Sequence, residues 1–126
     1  MARDARFPDG ARPAAPYSPA VVSGDNVYTA GQVAFDADGN IVPGGVAEQT
    51  RQVFANLERC LGAAGCSLDD VVKVNAYLTD LASFDDFNAI YREMFSEPYP
   101  ARTTVQAGLV TGLLVEIEAV ARRPSC

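Results

Sequence analysis

The chain has 126 residues, 48% of them hydrophobic, and it contains no histidine. That length suffices for one packed core, so we expect a single domain over residues 1–126. Without histidine, zinc sites of the Cys/His type and serine–histidine or cysteine–histidine nucleophile pairs are excluded. The net charge of −6 disfavours a nucleic-acid partner. Any chemistry must therefore depend on Arg, Lys, Glu, Asp, Tyr and backbone groups.

The amino-terminal segment carries charge and proline in place of an apolar stretch. We expect residues 1–13 to be a mobile lead-in, because its prolines favour extended backbone. No apolar run approaches the roughly 20 residues that a membrane span requires, and the charged start does not resemble a signal peptide. These features predict a cytoplasmic protein without a membrane partner. Cys60, Cys66 and Cys126 form no CxxC pair, so free thiols are expected.

The first half of the chain predicts a hairpin, a helix and a covered strand. Residues 27–33 have strand character after a turn signal, and residues 21–22 are the expected hairpin partner. Apolar residues at spacings of three, four and seven predict an amphipathic helix over 46–64, ended by Gly65. Residues 70–78 are apolar and β-branched, which indicates a strand covered on both faces.

The second half predicts another helix and two final strands. Ser83 resembles a helix N-cap, and an aromatic stripe follows at helical spacing until Pro98 stops the helix. Residues 102–109 and 113–121 are predicted strands joined by a short turn at 110–112. The order ββαβαββ favours an α+β fold with a mixed sheet and both helices on one face. The other face must meet solvent or another subunit.

Charged and polar side chains alternate along the last two predicted strands. Arg102 and Thr104 share one face of the first strand, and Glu116 and Glu118 share one face of the second. If the two strands pair as a hairpin, Arg102 and Glu118 become cross-strand neighbours. Functionally, the arginine fork would bind a carboxylate and the glutamate would orient a water molecule. The structural alternative is an ordinary surface ion pair.

Three further residues have both a functional and a structural interpretation. Gly31 stands inside a strand pattern, which indicates either a bulge or a close backbone approach to a ligand. The hydroxyl of Tyr17 could reach a site, or the ring could anchor the extended amino terminus. Asn88 interrupts an apolar helix stretch, where it is either a solvated residue or part of a site.

Ordered motifs over about residues 14–121 resemble those of the Rid/YjgF family. The motifs are Ala15-Pro16-Tyr17-Ser18, Val27-Tyr28-Thr29-Ala30-Gly31-Gln32, Gln49-Thr50-Arg51-Gln52 with Asn56-Leu57, Ala63-Ala64-Gly65, Asp70-Val71-Val72-Lys73, Phe84 with Asn88, Tyr91 and Phe95, and Pro100-Ala101-Arg102 with Val115-Glu116-Ile117-Glu118-Ala119. The resemblance implies a chorismate-mutase-like α+β subunit. It also implies a homotrimer with three sites in the clefts between subunits.

The resemblance further implies an activity. The best-known members hydrolyse the reactive imino acids 2-iminopropanoate and 2-iminobutanoate to 2-oxo acids and ammonia. An imine carbon is already electrophilic, so orientation and one proton-transfer group suffice without cofactor or metal. Two alternatives stay open: a deaminase of a catabolic enamine, aminoacrylate or aminomuconate, and a 2-oxo-acid-binding or chaperone-like trimer without turnover.

The family's functional residues can be matched onto this chain. By that matching, Arg102 grips the substrate carboxylate and Glu118 positions the attacking water. The implied substrate-binding residues are Tyr17, Gly31, Asn88, Arg102 and Thr104, of which Gly31 and Thr104 contribute backbone groups.

The chain departs from the family pattern at three places. Ala30 replaces a common serine, so one hydroxyl near the substrate is absent. Thr104 replaces a frequent cysteine, and residues 109–112 replace the usual Leu-Pro, which alters the loop before the last strand. Glu116 receives no role from the resemblance.

Overall fold

The structure is a computed structural model that describes residues 3–124. Cys126 and the first two residues of the predicted lead-in lie outside the described residues. Within that range the chain forms six strands and two α-helices, namely β1 Asp4–Arg6, β2 Ala20–Ser23, β3 Asn26–Thr29, α1 Val46–Ala63, β4 Val71–Leu78, α2 Phe84–Met94, β5 Ala101–Gln106 and β6 Val115–Arg122.

The described strands form one mixed sheet in the order β1-β2-β3-β6-β4-β5. β4 and β5 run parallel, and the other neighbouring pairs run antiparallel. Both helices cover the same face, and α1 lies against β6 and α2. The predicted α+β architecture with two helices on one face is therefore confirmed.

The predicted pairing of the last two strands is wrong. β4 lies between β5 and β6, so Val74 faces Arg102 on one side and Ala119 on the other. The connecting loop passes the end of β4, where the amide of Ala107 donates to the carbonyl of Leu78 at 2.9 Å. Since β5 and β6 do not touch as a hairpin, Arg102 and Glu118 are not cross-strand neighbours.

Helix α1 buries the apolar stripe that the sequence predicts. Val53, Phe54 and Leu57 are fully buried beneath it. The helix ends at Ala63, one residue before the predicted end, and Gly65 has a φ of 79°. Glycine adopts this left-handed conformation without the steric cost that a Cβ imposes. The local pattern thus fixed both the buried face and the end of this helix.

The amino-terminal residues add an element that the sequence did not predict. β1 pairs with β2 at the edge of the sheet, in the register Ala5 opposite Val21. The Arg6 guanidinium donates to the carbonyl of Ala63 at 3.3 Å, which connects this edge to the end of α1. Part of the predicted lead-in is therefore an ordered strand.

The face of the sheet that carries no helix exposes both apolar and acidic side chains. Tyr28 and Val105 are 45% and 42% exposed there. Glu116 and Glu118 on β6 lie on the same face, partly buried. None of the described helices is long and apolar enough to cross a membrane.

Candidate functional site

Arg102 lies on the helix-covered side of the sheet. It stands opposite Val74, a fully buried residue of β4, and directly paired residues point to the same face. Its guanidinium carbon lies 4.6 Å from the ring centroid of Tyr91 and 5.5 Å from those of Phe84 and Phe87. Three aromatic rings of α2 therefore lie around the guanidinium, and cation–π contacts of this kind stabilise the positive charge.

Asn88 orients the guanidinium between these rings. Arg102 Nη1 donates to Asn88 Oδ1 at 2.7 Å, a bond between neighbouring elements that α2 and β5 bring together. The ion pairs of the described residues do not include Arg102. Most of its five donors therefore remain free to bind an anion.

A cavity of about 220 Å³ opens beside the guanidinium, and we call it the clamp pocket. It is lined by Asn88, Tyr91, Arg92, Tyr99, Pro100 and Arg102. Two hydroxyls near it, those of Tyr91 and Thr104, are buried without a hydrogen-bond partner among the described protein atoms. Burial also raises the pKa of the Tyr91 hydroxyl, which the Arg102 charge partly offsets. This region therefore combines the unpaired Arg102 guanidinium with two hydroxyls that have no hydrogen-bond partner, in an apolar environment.

Gly31 approaches a side chain rather than forming a bulge in a strand. Gln32 and Ile117 exchange backbone hydrogen bonds of 2.8 and 3.1 Å, which lay the segment after β3 against β6. A Cβ on Gly31 would then lie 2.8 Å from the carboxyl carbon of Glu116 and closer still to its Oε2. A Cβ at this position would force the end of the Glu116 side chain to move, because real Cβ atoms do not come so close to other atoms.

The same carboxylate lies in a second, mostly apolar cavity of about 470 Å³, which we call the carboxylate pocket. Its lining residues are Tyr17, Ala30, Gly31, Val33, Phe35, Gly108, Leu109, Val110, Leu113 and Glu116. Val110 is 70% exposed at this rim, in the loop where the chain departs from the family pattern. The pocket thus presents one carboxyl and one phenol within apolar walls.

Burial raises the pKa of the Glu116 carboxyl above its usual value, and the charge of nearby Glu118 raises it further. Both effects disfavour the charged form. A carboxyl tuned in this way exchanges protons closer to neutral pH than an exposed glutamate does, which suits general acid–base work.

Glu118 has a different environment from Glu116. It lies opposite Asn75, and Tyr77 on β4 donates from its hydroxyl to Glu118 Oε1 at 2.9 Å. Glu118 is absent from the lining of the carboxylate pocket. The sequence interpretation gave Glu118 the water-positioning role, whereas the structure brings Glu116 next to Gly31 and Tyr17.

Helix α1 fixes one wall of the carboxylate pocket through Gln49. This side chain is only 2% exposed. Its Nε2 donates to the carbonyl of Gly112 and its Oε1 accepts from the amide of Leu114, both at 2.8 Å. The Gln49 side-chain amide therefore bonds to the backbone of the loop before β6 at two positions, on either side of Leu113.

Asn56, two turns further along α1, fixes the opposite wall. Its Nδ2 donates to the carbonyls of Val33 and Phe35, each at 2.9 Å. Gln52 donates to Asn56 Oδ1 at 3.0 Å, which sets the orientation of the amide. In the sequence these helix residues are recognisable only as parts of family motifs. Their hydrogen bonds to the loops can be recognised only in the folded structure.

The two cysteines within residues 3–124, Cys60 and Cys66, line neither the clamp pocket nor the carboxylate pocket. Cys60 and Cys66 are buried free thiols, as expected from the sequence. Burial raises the pKa of the Cys60 thiol to about 11, so it is not a ready nucleophile.

Comparison with known proteins places the chain in a family. Residues 9–123 match the family model described as Endoribonuclease L-PSP, which comprises the Rid and YjgF proteins. The chain belongs to the Rid/YjgF family. The family prediction is thereby confirmed.

Relatives of this Rid/YjgF chain carry several different names. Bovine 2-iminobutanoate/2-iminopropanoate deaminase is 44% identical over 108 residues, which cover 84% of this chain and 79% of the relative. Protein mmf2, mitochondrial, of Schizosaccharomyces pombe is 47% identical over 110 residues, covering 84% and 86%. The crystal structure of RidA from the Antarctic bacterium Psychrobacter sp. matches with a TM-score of 0.88 at 41% identity, covering 95% of this chain and 99% of that chain. The cytoplasmic location expected from the sequence stays a prediction.

The predicted site residues of this Rid/YjgF chain fall into two groups. Arg102 and Asn88 line the clamp pocket on the helix-covered side, and Thr104 lies on the same face of β5 as Arg102. Tyr17 and Gly31 line the carboxylate pocket, together with Glu116. Within one chain the sheet separates the groups, because Glu116 pairs with Tyr77 and Arg102 pairs with Val74, three residues away and on the opposite face.

Proposed function

We propose that this protein is a cofactor-free deaminase that hydrolyses 2-imino acids and their enamine forms, such as 2-iminobutanoate and 2-iminopropanoate, to 2-oxo acids and ammonia. The observation that carries the proposal is the unpaired guanidinium of Arg102, held by three rings and Asn88 beside a cavity. A guanidinium fork binds a carboxylate through two parallel hydrogen bonds. The 44% identity to a protein named for this activity supports the same substrate class.

We further propose that a homotrimer completes the site. The cation and the Glu116 carboxylate lie on opposite faces of one sheet, so one chain cannot present both to one small substrate. In a closed ring of subunits, the clamp pocket of one protomer can face the carboxylate pocket of the next. The exposed Tyr28 and Val105 on the face without helices support burial of that face against a partner.

In this site Arg102 binds the substrate carboxylate and Glu116 serves as the proton-transfer group. Glu116 takes a proton from a water molecule while the water oxygen bonds to the imine carbon and the iminium nitrogen receives the C–N π electrons. Glu116 then returns the proton to the amino nitrogen of the tetrahedral intermediate. Ammonia leaves with the C–N electron pair, the carbonyl forms, and the hydroxyl proton passes back to Glu116 or to solvent. Positioned proton transfer of this kind contributes about 10²- to 10⁴-fold.

We assign the water-positioning role to Glu116 in place of Glu118 because of their surroundings. Glu116 lines the same pocket as Gly31 and Tyr17, and its raised pKa suits proton exchange. Glu118 is already bound by the Tyr77 hydroxyl. The two glutamates share one face of β6, so their alternation in the sequence does not distinguish them.

The test is to generate 2-iminobutanoate in situ with a pyridoxal-phosphate dehydratase and to follow release of 2-oxobutanoate. Purified protein is expected to accelerate release above the spontaneous rate, and Arg102→Ala is expected to abolish most of that acceleration. Full activity in Arg102→Ala, or no acceleration by the wild type, would contradict the proposal.

A second substrate class is a catabolic enamine such as aminoacrylate or aminomuconate. The altered loop around the 70%-exposed Val110 at the pocket rim favours it, because this loop would contact the part of the substrate beyond the imine. Rates on these compounds should be compared with the rate on 2-iminobutanoate. A clear preference for 2-iminobutanoate removes this alternative, and binding of 2-oxo acids without any turnover would instead favour a non-catalytic binding protein.

A further inference from the structure

Tyr77 and Glu118 form a hydrogen-bonded pair directly beside the proposed proton-transfer group. Tyr77 lies opposite Glu116 in the β4–β6 register, but its hydroxyl reaches diagonally to Glu118 Oε1 at 2.9 Å. Glu116 and Glu118 are two residues apart on one strand, so their Cα atoms are about 7 Å apart on the same face. Neither Tyr77 nor Glu118 has a role in the proposed chemistry.

The hydrogen bond fixes where the Glu118 carboxylate lies. A free glutamate side chain samples several rotamers and would turn toward solvent, away from a like-charged neighbour. The Tyr77 hydroxyl removes that freedom, because the donor is carried by a rigid ring on the adjacent strand. The negative charge of Glu118 is therefore held at a defined distance from Glu116.

The other groups that face Glu116 do not cancel this charge. Tyr17 is the second titratable residue of the carboxylate pocket, and Tyr77 comes from β4. Lys73, also on β4, lies opposite Val120 and donates to Thr103 at 2.9 Å. Arg102 lies on the other face of the sheet. Among the described residues, no cation is paired with either glutamate.

We propose that Tyr77 and Glu118 are positioning residues for Glu116: the Tyr77 hydroxyl fixes Glu118, and the fixed Glu118 charge adds to the effect of burial in making Glu116 a stronger base. This inference rests on the proposed function of Glu116. It explains why a glutamate follows two residues after Glu116 although it does not line the pocket. Burial alone makes Glu116 a stronger base than an exposed glutamate, and the fixed neighbour adds a contribution that a single substitution can remove.

Glu118→Gln is the first test, because it removes the charge but keeps the size and an acceptor for Tyr77. The acid limb of the kcat/KM profile against pH should move to lower pH, since this limb reports the Glu116 proton in the free enzyme. The less basic Glu116 should lower kcat by about tenfold or less, with KM little changed. A merely structural pair would change stability and leave the limb in place.

Tyr77→Phe is the second test, because it removes only the hydroxyl. It should shift the acid limb in the same direction by a smaller amount, since the Glu118 charge remains but is no longer fixed. In the double variant Tyr77→Phe/Glu118→Gln, the shift should equal that of Glu118→Gln alone. Such non-additivity is expected when one residue acts through another. Equal shifts of Tyr77→Phe in both backgrounds would overturn the proposal.

A direct titration separates this inference from the proposed function. The side-chain carboxyl of Glu116 is followed by carbon-13 NMR against pH in ligand-free wild type and Glu118→Gln, with Glu116→Gln used to assign the signal. A lower midpoint in Glu118→Gln supports the coupling, and an unchanged midpoint refutes it. This outcome does not depend on turnover of any imine, so a failed deaminase assay would remove the proposed function without deciding the coupling.

Discussion

The clamp pocket and the carboxylate pocket are built by different means. The first is local: about two turns of α2 supply the rings and Asn88, and the facing strand supplies Arg102. The second depends on a distant segment, because Gly31 reaches Glu116 only when residues after β3 lie against β6. Under the proposed function the clamp pocket binds the substrate and the carboxylate pocket supplies the proton transfer, so changes in the two pockets should have different kinetic effects.

The largest effect is expected from changing Glu116, the proposed proton-transfer group in the carboxylate pocket. Glu116→Gln should lower kcat by about 10²- to 10⁴-fold, because it removes the proton-transfer group without changing its size. Binding of 2-oxobutanoate, measured by calorimetry, should remain close to that of the wild type. If the variant retained wild-type kcat, Glu116 would not be the proton-transfer group.

The same variant should be more stable than the wild type at high pH. The pKa of Glu116 is raised by folding, so its neutral form favours the folded state at low pH, and this contribution is lost as the pH rises through the raised pKa. Glutamine stays neutral throughout. The Tm of Glu116→Gln should therefore exceed that of the wild type at pH 8, and the difference should shrink toward pH 4. The opposite sign would show that the carboxylate is stabilised in its charged form.

A loss of substrate binding is expected when the clamp pocket is changed. Arg102→Ala should reduce kcat/KM by about 30-fold or more, since truncating one partner of a buried charged pair costs about 2–5 kcal/mol. Arg102→Lys should retain only a small part of the wild-type kcat/KM, because lysine keeps the positive charge but lacks the planar guanidinium fork. Calorimetry with 2-oxobutanoate provides the check, and unchanged affinity in Arg102→Ala would contradict the clamp.

A smaller effect is expected from filling the contact between Gly31 and Glu116. Gly31→Ala places a methyl group on the Glu116 carboxyl and must displace that carboxyl from its present position. We expect kcat to fall about tenfold or more, since misplacement by 1 Å can cost about 10²-fold. Gly62→Ala is the matched control, because nothing lies within 4 Å of the added methyl group. The control should keep full activity and gain up to about 1 kcal/mol of stability, because alanine favours the helix.

The sequence predicted the clamp better than the carboxylate pocket, for a physical reason. Helical spacing places Asn88 and the aromatic stripe on one face of α2, and this information is local. Which strand pairs with β5 is not local: the eight residues after β5 cross the end of β4 instead of turning back. Alternation placed Glu116 and Glu118 on one face but could not choose between them. That choice required the register of Gln32 with Ile117.

The hydrogen bonds from α1 to the loops were likewise hidden in the sequence. A buried polar residue on a helix is recognisable as a family motif, yet its partners are loop carbonyls whose positions depend on the whole fold. Asn56→Asp replaces the amide that donates to the carbonyls of Val33 and Phe35 with an acceptor, so both hydrogen bonds are lost, although the Val33 carbonyl still accepts from the Phe35 amide. A hydrogen bond of this kind contributes about 0.5–1.5 kcal/mol to stability. We expect Asn56→Asp to have a lower Tm and a KM raised a few-fold. Glu58→Gln, on the exposed side of α1, is the control and should leave both values unchanged. An unchanged KM in Asn56→Asp would show that this wall of the carboxylate pocket does not shape the site.

The central claim is that Arg102 of one subunit and Glu116 of another act on the same substrate molecule. Complementation between Arg102→Ala and Glu116→Gln tests it most directly: the two inactive variants are co-expressed with different tags, and the mixed oligomers are purified and assayed with 2-iminobutanoate. Each mixed trimer, whether 2:1 or 1:2, contains one intact site among its three, so about one third of wild-type activity is expected from the purified mixed trimers. A mixture no more active than the separate variants would contradict a site shared between subunits.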